Sequence, residues 1–230
     1  MSTDSTKSAV DHPKQTPAPA RHQDDTQHTA WALPEPGTTL LPIARAAIST
    51  ALGRSHVAAE DAVWLQELGA SFVTLTQQGQ LRGCIGTLEA RRPLLADVKA
   101  NAVAAALRDP RFLPLAVTEL EYTEIEVSLL SPMQAMQFDS EAQALAQLQP
   151  GIDGVVLEFQ HFRSTFLPQV WEQLPTASEF MSHLKRKAGL PADFWAKGMR
   201  LQRYGVRKWK EKDLRPAAHA LAGATGRGKP

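Results

Sequence analysis

Apolar residues follow two different periods along this chain, and the switches between them predict the elements. Leu40 to Leu52 (LLPIARAAISTAL) carries them at helical spacing, with Gly53 placed to stop the helix. Ser71 to Thr76 and Leu81 to Leu88 are apolar or β-branched and flank a polar turn, Gln77 to Gln80, which predicts a β-hairpin. Pro93 opens an alanine-rich helix containing Leu94, Leu95, Val98, Val103 and Leu107, which must end before Pro110.

In Glu119 to Leu130, Ile125, Val127 and Leu129 alternate with Glu124, Glu126 and Ser128, so the segment reads as a strand with one apolar face and Glu126 on the other. A short helix near Glu141 to Leu148 follows, then strands at Val155 to Phe159 and Arg163 to Leu167. Pro168 begins a helical turn, Ala177 to Lys187 is a helix ended by Gly189, and Arg200 to Trp209 is the last strand. Hairpins and helices without a βαβ series predict an α+β fold rather than a doubly wound parallel sheet.

The ends follow neither period. Residues 1–37 are rich in Ser, Thr, Gln, Asp, His and Pro and predict a disordered leader, and residues 216–230 predict a flexible tail, leaving one domain over 38–215. A net charge of +1 gives no global attraction to nucleic acid or an acidic membrane surface. No run approaches the roughly 20 apolar residues of a membrane span, and the amino terminus lacks the apolar core of a secretory signal, so a soluble, cytoplasmic protein is expected. Cys84 is the single cysteine, which rules out an intramolecular disulfide, and the seven histidines have no metal-ligand spacing. No metal site is expected, and no nucleotide-binding glycine motif implies a cofactor.

Candidate chemistry gathers at Leu81 to Gly86, LRGCIG. A regular strand puts Arg82 and Cys84 on one face. A guanidinium stabilises thiolate over thiol, and the thiolate is the nucleophile. Gly83 and Gly86 weaken a strand unless the backbone must be approached closely, and amides exposed there could bind an anion. Arg108 and Asp109 sit where a helix ends and could clamp an anionic ligand facing Cys84, with Asp109 orienting an arginine. Glu126 is the best carboxylate candidate for a base, or for orienting Arg82 if their strands are adjacent. Each also has a plain structural role: Cys84 as a small buried hydrophobe, the glycines as packing, Arg108 as a helix-dipole partner and Glu126 as a solvated face.

Charge is unevenly spread. Glu119 to His161 holds eight acidic residues and no Lys or Arg, whereas Lys185 to Arg215 holds eleven basic and three acidic. The two segments could pack together, or the basic one could bind nucleic acid through residues 200–212, although Tyr204 and Trp209 fall on opposite faces of a regular strand and cannot form one stacking platform.

From LRGCIG outward, the chain resembles the AMMECR domain family, known also as protein A of the AmmeMemoRadiSam system. The resemblance covers roughly Leu40 to Trp209 and includes NAVAAALRDPRF at Asn101 to Phe112, EVSLLS at Glu126 to Ser131, GIDGVVLEF at Gly151 to Phe159 and TFLPQVWEQLPT at Thr165 to Thr176. It implies two unequal, intimately packed subdomains with antiparallel-rich sheets and flanking helices, the motif residues lining the cleft between them. Carried over by position, these are Arg82, Gly83, Cys84, Gly86, Arg108, Asp109, Glu126 and Thr165. The resemblance also implies a pathway shared with a Memo-like protein and a radical SAM protein. The expected function is an enzyme or enzyme-system component in which Cys84 acts as nucleophile or covalent carrier on a small anionic ligand. The alternatives are a nucleic-acid-binding module and a noncatalytic adaptor that receives a partner's peptide.

Overall fold

The structure is a computed structural model that describes Leu33 and residues 35–214. Most of the expected leader and all of the expected tail lie outside the described residues. Helix α1 (Gly37–Ala51) buries Leu40, Leu41, Ala44, Ala47 and Ile48, one stripe at helical spacing, and Gly53 closes it at φ +77°. After a 3-10 turn (Val63–Gln66) and the short β1 (Leu68–Gly69), strands β2 (Ser71–Gln77) and β3 (Gln80–Gly86) form the hairpin. Its turn residues Gln78 and Gly79 both have positive φ, as a type I′ turn requires. Then come β4 (Arg92–Pro93), α2 (Leu94–Leu107), a second 3-10 turn (Val117–Tyr122) and β5 (Thr123–Leu130). The expected strand over Glu119 to Leu130 thus starts only at Thr123.

The second half supplies β6 (Gln134–Ala135), α3 (Glu141–Gln147), β7 (Gly154–Phe159), β8 (Phe162–Phe166), a 3-10 turn (Pro168–Glu172) and α4 (Ala177–Lys187). Strands β9 (Arg200–Tyr204) and β10 (Val206–Lys210) and the short α5 (Glu211–Leu214) end it. The architecture is α+β, with two four-stranded antiparallel sheets ordered β10-β5-β2-β3 and β6-β9-β7-β8. No helix among the described residues is long and apolar enough to cross a membrane.

Each sheet has its own core. Val73, Leu75, Ile125, Val127 and Leu129 of the first pack under α1 and α2, while Val155, Leu157 and Leu201 of the second pack under Phe180, Met181 and Leu184 of α4. The opposite faces of the two sheets meet at a third cluster of Ala70, Leu130, Val156 and Tyr204, flanked by Phe72, Leu167 and Val206.

The chain crosses between the sheets twice. One crossing is residues 131–133, and the other is Gly205, where the expected single strand Arg200–Trp209 breaks into β9 of one sheet and β10 of the other. The crossings are tied together, because the Ser131 N–H donates to the Gly205 carbonyl (3.0 Å) and the Gly205 N–H donates to Ser131 Oγ (2.9 Å).

A candidate site on the half-covered face of the first sheet

The pairing registers fix which residues share the inner face of the first sheet. One row runs Cys84, Thr74, Glu126, Lys210 and the next Gly86, Phe72, Ser128, Lys208, each taking one residue from β3, β2, β5 and β10. Along β5 the burial of this face rises from exposed Glu124 through half-buried Glu126 to buried Ser128 and Leu130. The second sheet therefore covers only part of the first. At the edge of the cover lies a narrow recess whose walls include Thr74, Cys84, Glu126, Ser128 and Lys208, with Leu167, Pro168 and Gln169 of the other half opposite.

Cys84 is half-buried. The Thr74 hydroxyl donates to its Sγ at 3.3 Å from across the hairpin. Because β3 is an edge strand, the outward backbone groups of Cys84 need partners from elsewhere. The segment after α2 supplies them: the Cys84 N–H donates to Asp109 Oδ2 (2.8 Å), and an Arg111 guanidinium nitrogen donates to the Cys84 carbonyl (3.3 Å). Asp109 and Arg111 in turn form a fork, Nε to Oδ1 at 2.9 Å and the terminal nitrogen to Oδ2 at 2.7 Å. The Arg111 guanidinium, helped by the two backbone N–H donors, holds the buried Asp109 carboxyl far below the usual carboxylate range in spite of desolvation. Asp109 in return pushes the Arg111 guanidinium above its ordinary value, with a smaller contribution from the Cys84 charge. A carboxylate-anchored guanidinium thus holds the Cys84 backbone from its outer edge, and the edge of β3 is closed to strand addition by a partner peptide at this point.

That guanidinium is not Arg82. A β-bulge between Leu75 and Thr76 sets Leu75 opposite Gly83 and Thr76 opposite Leu81, leaving Arg82 as the extra residue. The bulge breaks the alternation on which the Arg82/Cys84 pairing depended. Arg82 instead grips Glu119 with two bonds of 3.1 Å and donates to the Leu113 carbonyl at 2.9 Å. This pairing, together with the Ala116 N–H, lowers the Glu119 pKa to about 2. Nor does Glu126 orient Arg82, because β2 lies between their strands and Glu126 pairs with Lys210 at 3.4 Å.

The glycines have packing reasons. A Cβ on Gly83 would stand 2.1 Å from the Ala105 carbonyl oxygen, so only glycine lets α2 lie this close to β3, and a Cβ on Gly86 would strike the Phe72 ring at 2.2 Å. With the Cys84 amide taken by Asp109, the expected anion nest of glycine-bounded amides is not formed there. Arg108 is exposed and its side chain makes no hydrogen bond or ion pair among the described residues, so Arg111 is the arginine that Asp109 orients. Thr165 lies on the inner face of the second sheet, its hydroxyl 3.1 Å from that of Tyr204, which donates to the Phe166 carbonyl at 3.2 Å. Thr165 thus braces the β8 end that leads into the recess wall. Burial raises the Tyr204 pKa to about 12, and the Thr165 bond opposes that only in part.

Sequence reasoning did not place Thr74, Ser128, Gln169 or Lys208 at this recess, Lys208 entering only as part of the basic segment 200–212. The hydroxyls carried a weak signal, as polar positions alternating with core residues on their strands. Nothing local marked the other two.

The basic segment is largely engaged. Arg200 pairs with Glu158 and Lys210 with Glu126, while Lys185, expected among the basic residues, is buried against Glu141 at 2.6 Å. Arg203 donates to the Gln147 carbonyl, and Arg207 donates to the Leu33 carbonyl while lying over Trp209. Acidic and basic segments thus pack together, and Tyr204, buried between the sheets, is not available to pair with Trp209 as a stacking platform.

The sequence profile of the AMMECR1 family matches residues 41–209. Protein MJ0810 of Methanocaldococcus jannaschii is 33% identical over 191 residues, covering 79% of this chain and 92% of its own. A protein of Methanothermobacter thermautotrophicus is 37% identical over 185 residues, covering 76% and 94%. Among solved structures, the crystal structure of the uncharacterized protein PH0010 from Pyrococcus horikoshii superposes with a TM-score of 0.64 at 30% identity, covering 75% of this chain and 90% of that one.

Proposed function

The chain belongs to the AMMECR1 family, and we propose that it is an enzyme or enzyme-system component whose working surface is the recess at Cys84. One observation carries this reading: the cysteine thiol lies on the wall of a recess between two sheets, with a hydroxyl donating to its sulfur and a carboxylate-anchored guanidinium donating to its backbone carbonyl. A cysteine side chain at the wall of a recess can act as a nucleophile on a ligand held there. In the covalent version the Cys84 sulfur forms a bond to an electrophilic carbon of the ligand, and the group displaced from that carbon departs with the bonding electrons. Arg111 offsets the charge on sulfur before the attack, and Thr74 orients it. Asp109 acts through Arg111 and is a positioning residue. The resemblance to protein A of the AmmeMemoRadiSam system supports a pathway shared with a Memo-like and a radical SAM protein, one of which would supply or receive the carried group.

The test is mass spectrometry of the full chain and of Cys84→Ser, each after incubation with a small-molecule extract of cells and then with iodoacetamide. A mass adduct on Cys84 that is absent from Cys84→Ser and blocks alkylation is the expected result. A thiol that neither acquires an adduct nor alkylates in the folded protein overturns the covalent role.

A further inference from the structure

The recess beside Cys84 holds more polar groups than a thiol site needs. Ser128 is only 6% exposed and its side chain lines the recess, yet its hydroxyl makes no hydrogen bond among the described residues. Since among the described residues no side-chain polar atom shut off from solvent lacks a partner, this hydroxyl is reached by solvent, and the recess that Ser128 lines is where it opens. Ser128 stands between two opposite charges on the same sheet face: Glu126 lies two residues before it on β5, and Lys208 is its cross-strand partner on β10. Both charges are weakly held. Glu126 meets Lys210, itself nearly half exposed, at 3.4 Å, and the Lys208 ammonium donates only to the neutral Gln169 amide at 3.3 Å.

We propose that this recess binds a small amino-carboxylate, its carboxylate received by the Ser128 hydroxyl and the Lys208 ammonium and its ammonium by Glu126. The inference rests on the cleft assigned above and names the class of molecule presented to Cys84. A simple anion satisfies Lys208 but is repelled by Glu126. A simple cation meets the reverse, and only a ligand carrying both signs matches the pair. Of the other charges nearby, Arg111 is matched by Asp109, whereas Lys210 competes with the ligand's ammonium for Glu126, and the exposed Lys210 side chain turns to solvent when that ammonium takes its place. Leu167, Pro168 and Val206 offer apolar cover for a short side chain.

Titration calorimetry on the full chain, with L-alanine and L-leucine against their amine-free and carboxylate-free counterparts, tests the assignment. The counterparts are propionate and ethylammonium for alanine, and 4-methylpentanoate and isoamylammonium for leucine. At least one amino acid should bind about tenfold or more tighter than either counterpart. Ser128→Ala should weaken it several-fold, Glu126→Gln should erase its advantage over the amine-free acid, and Lys208→Gln its advantage over the amine. Equal binding of the amino acid and its amine-free acid, no binding of either amino acid, or an unchanged preference in Glu126→Gln each overturns the proposal. Running the series on Cys84→Ser keeps the two readings apart. Binding that survives there supports the amino-carboxylate site even if the thiol proves inert, whereas a reactive thiol with no amino-carboxylate binding leaves the thiol role standing and removes this one.

Discussion

The two four-stranded sheets share one plan and differ in how they use their inner faces. Each buries one face under its own helices and turns the other towards its neighbour. On the second sheet the inner face has a fully satisfied centre: Tyr204 lies over Gly154, its hydroxyl held by Thr165 and the Phe166 carbonyl. The first sheet carries Cys84, Thr74, Glu126 and Ser128 on its inner face, and its neighbour covers only the Leu130 end. One face serves as a base and the other as a working surface. The site lies where the cover stops.

The largest test of this contrast is steric. Gly83→Ala sets a Cβ against backbone, the Ala105 carbonyl oxygen, which cannot move without shifting α2. A loss of about 3 kcal/mol in urea denaturation is expected. Gly154→Ala sets its Cβ 2.4 Å from the Tyr204 ring, a side chain rather than backbone, and should cost about 2 kcal/mol. If Gly83→Ala is the milder of the two, the close seating of α2 does not dictate the glycine.

Acid and alkali should separate the two halves. Tyr204 has its pKa raised to about 12 by burial, so its contribution is complete below the unfolded value near 10 and is lost as pH climbs from 10 towards 12. The amount at stake is about 2 kcal/mol, and Tyr204→Phe should flatten the alkaline decline while costing about 1 kcal/mol at neutral pH for the lost hydroxyl bond. Glu119 is displaced the other way. Its pKa is lowered from 4.5 to about 2, so its contribution is present above 4.5 and disappears as pH falls through that window. With a third of the Glu119 side chain exposed, screening reduces the effect to about 1 kcal/mol. Glu119→Gln should remove that part of the acid sensitivity and leave the alkaline limb unchanged, as followed by urea midpoints across pH.

Legibility from sequence followed the range of the forces involved. Helix α4 is fully readable because its signals are local: the Thr176 hydroxyl accepts the Glu179 N–H, and a glycine stands after the last turn. The break of Arg200–Trp209 at Gly205 was not readable, because both halves have strand character and only long-range pairing sends β9 and β10 to different sheets. The site was half legible for the same reason. LRGCIG marks the place, but counting outward from the Gln78–Gly79 turn puts Gly83 opposite Thr74, and the bulge shifts Cys84 into that position. One inserted residue gave Thr74 to the thiol and sent Arg82 to Glu119. Asp109 was recognised as a carboxylate that orients an arginine, but which arginine was left open, because the choice between the two flanking Asp109–Pro110 depends on how the chain leaves α2.

The smallest effect separates Arg111, in the segment after α2, from Arg82 on β3. If Arg111 is the charge beside the thiol, Arg111→Gln should slow the alkylation of Cys84 by iodoacetamide at neutral pH about fivefold, equivalent to roughly 1 kcal/mol of lost electrostatic support. Arg82→Gln should leave the rate within a factor of about two while lowering stability by about 1–2 kcal/mol, since its two bonds run to Glu119. Near-UV circular dichroism confirms that each variant keeps its packing before rates are compared. A slower thiol in Arg82→Gln with an unchanged one in Arg111→Gln would restore the pairing that a regular strand predicts, and would mean that the bulge at Leu75 and Thr76 does not persist in solution.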